Sequence, residues 1–67
     1  MLPEIKVYCG KFGDETYLCN MESGDYLPRK NELIFYQGAT YKVLYTMHDL
    51  DDNMINVFVR LAVEEDY

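Results

Sequence analysis

The sequence predicts a small all-β domain: one five-stranded sheet, strongly bent or partly closed into a barrel. Three observations predict it. Apolar residues recur at every second position, Val, Ile, Tyr, Phe and Thr gather in five short segments, and turn-forming residues stand between those segments. A 3.6-residue apolar stripe sustained over three turns is found nowhere in the chain. Five strands in 67 residues are too few for two full sheets. Bending lets one inward face pack on itself and limits bare edges.

The elements follow in order. Ile5, Val7 and Cys9 alternate with Lys6, Tyr8 and Gly10, the pattern of a half-buried strand. Lys11-Phe12-Gly13-Asp14-Glu15 supplies a turn in which Gly13 is free to take positive φ. Residues 16–20 then pair back on the first strand. Ser23-Gly24-Asp25 is turn chemistry, and Pro28 disfavours helix at Leu27. A third strand over residues 32–36, a tight turn at Gln37-Gly38-Ala39 and a fourth strand over residues 40–47 follow. Residues 48–53 read as a polar, acidic loop. The fifth strand carries Ile55, Val57, Val59, Leu61 and Val63 on one face and Asn56, Phe58, Arg60 and Ala62 on the other. A one-residue slip exposes all five aliphatics, so its register is fixed. Glu64-Glu65-Asp66-Tyr67 reads as a frayed acidic tail. An SH3-like barrel is the first expectation, an OB-like barrel or open meander the second.

The run Leu27-Pro28-Arg29-Lys30-Asn31-Glu32-Leu33-Ile34, followed by Gly38-Ala39-Thr40-Tyr41-Lys42-Val43, carries a recognisable pattern. It resembles the Pro-Arg, acidic residue, Gly, Tyr-x-Val signature of short uncharacterised phage and bacterial β-barrel proteins of SH3-like type. The resemblance covers residues 27–63. Asn31 stands where that pattern has glycine, and asparagine also tolerates the left-handed conformation. The resemblance implies a turn, two strands and a hairpin, and no activity.

Bulk properties exclude several function classes. Twelve acidic against six basic side chains give a net charge of −6 and a sequence pI near 4.4. Nucleic-acid affinity comes largely from neutralised phosphates, so direct nucleic-acid binding is disfavoured. Anionic membranes are disfavoured by the same Coulomb argument. Apolar runs such as Val57-Phe58-Val59 are far shorter than the ~20 residues of a spanning helix. The start, Met1-Leu2-Pro3-Glu4-Ile5-Lys6, shows no basic segment followed by an apolar one, so a signal peptide is not expected. The expected setting is cytoplasmic. There Cys9 and Cys19 are expected as free thiols, with a bridge left open under oxidising conditions if the first hairpin brings them close.

Sites of chemistry fare poorly. Asp49, Asp51 and Asn53 match the first three ligand positions of a calcium loop, yet Met54 replaces its glycine and Arg60 its final glutamate. Cys9, Cys19 and His48 are three ligands at most and lack close Cys-x2-Cys spacing, so no metal is expected. Ser23 lies in turn chemistry, the four glycines form no phosphate-binding loop, and Cys9 shares a face with Ile5 and Val7, where a buried thiol is inert. Neither catalysis nor a cofactor is expected.

Seven tyrosines exceed what one small core holds. Some of Tyr41, Val43 and Tyr45 are expected to meet Ile55, Val57 and Val59, leaving Tyr8, Tyr26, Tyr36 and Phe58 towards the surface. Tyrosine joins a large apolar ring to a polar tip and suits interfaces. The reading is therefore a non-enzymatic binding module, with a basic, nucleic-acid-handling host protein as the expected kind of partner. Small size, acidity and surplus aromatics point to a phage or mobile-element accessory protein that docks on or inhibits it. Tyr26 and Arg29 are the first expected contacts, then Tyr36 and Phe58, with Asp49, Asp51 and Asp52 steering association. Half of the 12 acids fall in the last 19 residues, so loop and tail together are a candidate nucleic-acid mimic. The alternatives are a barrel binding single-stranded nucleic acid through stacked tyrosines, and an assembly subunit joined through an edge strand.

Overall fold

The computed structural model describes residues 4–21 and 27–67. Its elements are β1 (Glu4–Cys9), β2 (Thr16–Met21), β3 (Leu33–Tyr36), β4 (Ala39–Asp49), β5 (Met54–Leu61) and a closing 3₁₀ turn, Glu64–Asp66. They form one mixed sheet in the order β2-β1-β5-β4-β3. It curls through 205° as a half-barrel, the strongly bent, partly closed all-β sheet that the alternation predicts. Two antiparallel units, the β1–β2 hairpin and the β3–β4–β5 meander, meet where β1 lies parallel to β5.

Alternation sets the aliphatic face. Across the parallel seam Ile5 sits beside Ile55, Val7 beside Val57 and Cys9 beside Val59. Val43 of β4 joins them, and Ile5, Val7, Val43, Val57 and Val59 form the buried cluster. Leu27, on the connection into β3, packs against this cluster, and Pro28 beside it is buried. The expected run of five inward aliphatics stops at three. Leu61 and Val63 are 58% and 53% exposed, because β1 ends opposite Val59 and no strand among the described residues pairs with β5 beyond it on that side.

Turn residues behave as their chemistry requires. Gln37 and Gly38 have φ of 48° and 81°, the pair of positive values that a two-residue hairpin needs. Asn31 has φ 74°, a left-handed value that asparagine tolerates. Gly10 is the tightest case: φ is 118°, and a Cβ there falls 3.0 Å from the Asp14 carbonyl oxygen.

Two bulges reshape the simple alternation. Leu18 is an extra residue between Tyr17, opposite Tyr8, and Cys19, opposite Val7. Leu44 is extra between Val43, opposite Val59, and Tyr45, opposite Phe58. A bulge bends its strand and raises the local twist, and here the two flank the β1–β5 seam at the same level. The second decides which of Tyr41, Val43 and Tyr45 share the valine face. Tyr45 does not join Val43 over the valines; the extra residue moves it to the opposite face, beside Phe58.

The tail is held rather than frayed. Asp66 accepts hydrogen bonds from Arg60 Nη1 at 2.9 Å and Nη2 at 3.0 Å, Lys42 Nζ at 3.3 Å and the Val63 N–H at 2.8 Å. Its side chain is only 7% exposed. The Arg60 hydrogen bonds, then that of Val63, hold the Asp66 carboxyl well below the usual carboxylate range, although its burial opposes them.

Candidate functional site

Opposite the aliphatic face the sheet builds an aromatic cluster. Phe58 lies at its centre, 1% exposed. Tyr45 tilts against it at a centroid distance of 5.0 Å, Tyr8 stacks at 5.7 Å and Phe12 meets it edge-on at 6.1 Å. Tyr17 extends the cluster from Tyr8 at 5.9 Å. The β1–β2 loop folds back over this face because the Phe12 N–H donates to Tyr45 Oη at 2.8 Å. Gly13 with φ 97°, and its N–H bonded to Glu15 Oε2 at 2.7 Å, shape the turn.

This cluster corrects the expectation for Phe58. Alternation places it opposite the valines, as expected, but that side of the sheet is itself covered, so Phe58 is a core residue and not a contact. The aromatic side chains of this cluster that reach solvent are Phe12, at 63%, and Tyr17, at 54%. On β3, Tyr36 is half-buried beside Ala39 at the hairpin turn, and the exposed ring is its neighbour Phe35, at 74%. Arg29 is exposed, with its N–H bonded to Glu32 Oε1 in the turn leading into β3. Tyr26 lies outside the described residues.

The acidic loop is shorter than residues 48–53, since β4 runs on to Asp49. Asp49 Oδ1 accepts the N–H groups of Asp51 at 3.0 Å and Asp52 at 3.2 Å, and Asn53, at φ 52°, returns the chain to β5. Asp49 therefore serves turn backbone, as asparagine and aspartate do in tight turns. Among the described residues no three His, Cys, Asp or Glu side chains group as ligands for a metal ion. Asp51 and Asp52 remain exposed.

Loop and Phe12 together define the candidate site. A groove of about 380 Å³ lies between them, lined by Phe12, Met47, His48, Asp49, Leu50, Asp51 and Asn56. Leu50 is 89% exposed at its edge. Asn56 sits on β5 between Lys6 of β1 and Met47 of β4. Its Oδ1 is buried without a hydrogen-bond partner. A second cavity, about 490 Å³, is lined by Met21 at the end of β2 and by Pro28, Glu32, Leu33 and Ile34. Sequence reasoning missed Phe12 and Asn56: a Phe in a Gly-Asp turn and an Asn within a strand were the available signals.

Loop and tail do not form one surface. They adjoin opposite ends of β5, whose eight residues span roughly 23 Å. The cations are dispersed too. Lys42 and Arg60 bind Asp66, and Lys6 Nζ lies 4.0 Å from Glu4. Cys9 and Cys19 are free, and burial pushes the Cys19 thiol above its ordinary range, away from a thiolate nucleophile. No helix among the described residues is long and apolar enough to cross a membrane. Comparison with protein-family models, with curated proteins and with solved structures returned no match.

Proposed function

We propose that this chain is a small non-enzymatic docking module acting through protein–protein contact, with the groove beside residues 49–52 as its contact surface. One observation carries the reading: Phe12 and Leu50, 63% and 89% exposed, stand with Asp49 and Asp51 around a single groove. Exposed apolar side chains beside like charges suit a partner that brings apolar area and positive charge. A basic host protein, met in the cytoplasm by a phage or mobile-element accessory protein, fits that description. Mimicry of a continuous phosphate array is less favoured, since the two acidic segments adjoin opposite ends of β5.

Single-strand binding is the weaker alternative. Tyr8 and Tyr45 spend ring surface on Phe58, and Lys42 and Arg60 are engaged by Asp66, which leaves little of a basic stacking platform. A pull-down of the tagged protein from bacterial lysate, with and without nuclease and at two salt concentrations, separates the classes. The docking reading expects a discrete protein retained after nuclease, weakened by salt, and lost with Phe12→Ala combined with Asp51→Asn and Asp52→Asn. Loss of all bound material on nuclease treatment transfers the assignment to nucleic acid. Retention unchanged by the triple variant removes this surface from the function.

A further inference from the structure

Resting on that docking reading, we propose that the groove receives an arginine side chain of the protein partner. The groove is lined mainly by acceptors and carbon, with the His48 imidazole and the Asn56 side-chain NH2 as its side-chain donors. Asp49 and Asp51 place carboxylates at its rim, and Asn56 contributes a buried Oδ1 with no donor. Phe12 offers an exposed ring, and Met47 and Leu50 add apolar surface. None of the lining residues is Lys or Arg.

An occupant must therefore bring hydrogen-bond donors, positive charge and a flat or apolar body. The acidic rim repels an anion. A second copy of this chain carries the same net charge of −6 and meets like-charge repulsion. A lysine ammonium is a compact, strongly hydrated charge that meets a ring by cation–π attraction alone and has no planar face to lay on it. A guanidinium offers five N–H donors in a planar fork, accepts nothing, and stacks on aromatic faces. One Asp49 oxygen is already committed to the turn, so Asp51 is the carboxylate left for the fork. Asn56 also lines the groove, and its buried Oδ1 has no hydrogen-bond donor, so a guanidinium N–H is the partner assigned to it. The arginine stem covers Met47 and Leu50.

The test uses the intact ¹⁵N-labelled protein and a blocked Gly-Arg-Gly peptide, with lysine and citrulline counterparts, followed by NMR. Citrulline keeps the shape and loses the charge. The arginine peptide is expected to shift the amides of Phe12 and residues 47–51 and the Asn56 side-chain amide. The citrulline peptide is expected to bind about tenfold more weakly. Asp51→Asn is expected to weaken the arginine peptide about threefold, the range of an exposed ion pair. Asn56→Leu should abolish its binding while raising the urea midpoint of unfolding, because the substitution removes the unmet acceptor. Absent shifts, shifts elsewhere, equal response to lysine or citrulline, or unchanged binding by Asn56→Leu each overturn the proposal. Failure of the docking reading looks different: the peptide titrates the groove normally, yet no protein is captured, and the protein source of the guanidinium falls with it.

Discussion

Asp66 shows how far one side chain can depart from its sequence context. Glu64-Glu65-Asp66 reads as a solvated run, yet Asp66 takes four hydrogen bonds and ties the chain's end to Lys42 of β4 and Arg60 of β5. Nothing in a one-dimensional pattern pairs residues 60 and 66; the contact exists because β5 ends at Leu61 and a 3₁₀ turn reverses the chain. The linkage has a definite sign. An unfolded aspartate titrates near ~3.9, and the Arg60 hydrogen bonds depress the folded value below the usual range. Its stabilisation is therefore complete above the unfolded pKa and is lost as pH falls towards the folded one. Asp66→Asn should lower the urea midpoint most at pH 7, with the gap from the parent protein narrowing as pH falls from about 5 to 2. A gap that stays constant across that interval means that Asp66 contributes no pH-dependent stability.

At the scale of elements, the five strands and their turns were legible in the sequence because period-two alternation and Gly, Asn and Pro placement are local signals. The Val57 and Val59 register and the left-handed Asn31 follow from those signals directly. The bulges do not. Their trace is the adjacent apolar runs Tyr17-Leu18-Cys19 and Val43-Leu44-Tyr45, which period-two reading treats as noise. Missing Leu44 puts Tyr45 on the wrong face, and missing Tyr45 leaves Phe58 bare. The candidate site was therefore half legible: Asp49, Asp51 and Asp52 stand where their loop places them, but Phe12 reaches the groove only because Tyr45 anchors its loop. This arrangement separates two phenylalanines sharply. Phe58→Ala should cost about 3–5 kcal/mol, the range for emptying a buried ring site, and leave so small a domain largely unfolded. Phe35→Ala, at an exposed position, should stay within about 0.5 kcal/mol. Thermal melts of the two variants check this, and similar melting temperatures would contradict the two-faced core.

Across the whole molecule, the strand order makes stability radial. β5 is flanked by β1 and β4, and holds Val57 and Val59 fully buried on one face and Phe58 on the other. The β1–β5 seam joins segments about fifty residues apart, so neither the hairpin nor the meander completes the aliphatic core alone. Opening should begin at the outer strands, β2 and β3, and reach β5 only on global unfolding. Hydrogen exchange therefore has a predicted map, with the Val57, Phe58 and Val59 amides slowest. β3 adds a finer test. Its two-residue turn makes Tyr36 and Ala39 a hydrogen-bonded pair, so Tyr36 and Ile34 bond inward to β4 while Leu33 and Phe35 face the open edge. Alternate amides of one strand should differ: Ile34 and Tyr36 protected, Leu33 and Phe35 fast. Equal protection of all four at low concentration contradicts the open edge. Protection of Leu33 and Phe35 that grows with concentration means that a second copy adds at β3, which moves the function from docking towards assembly.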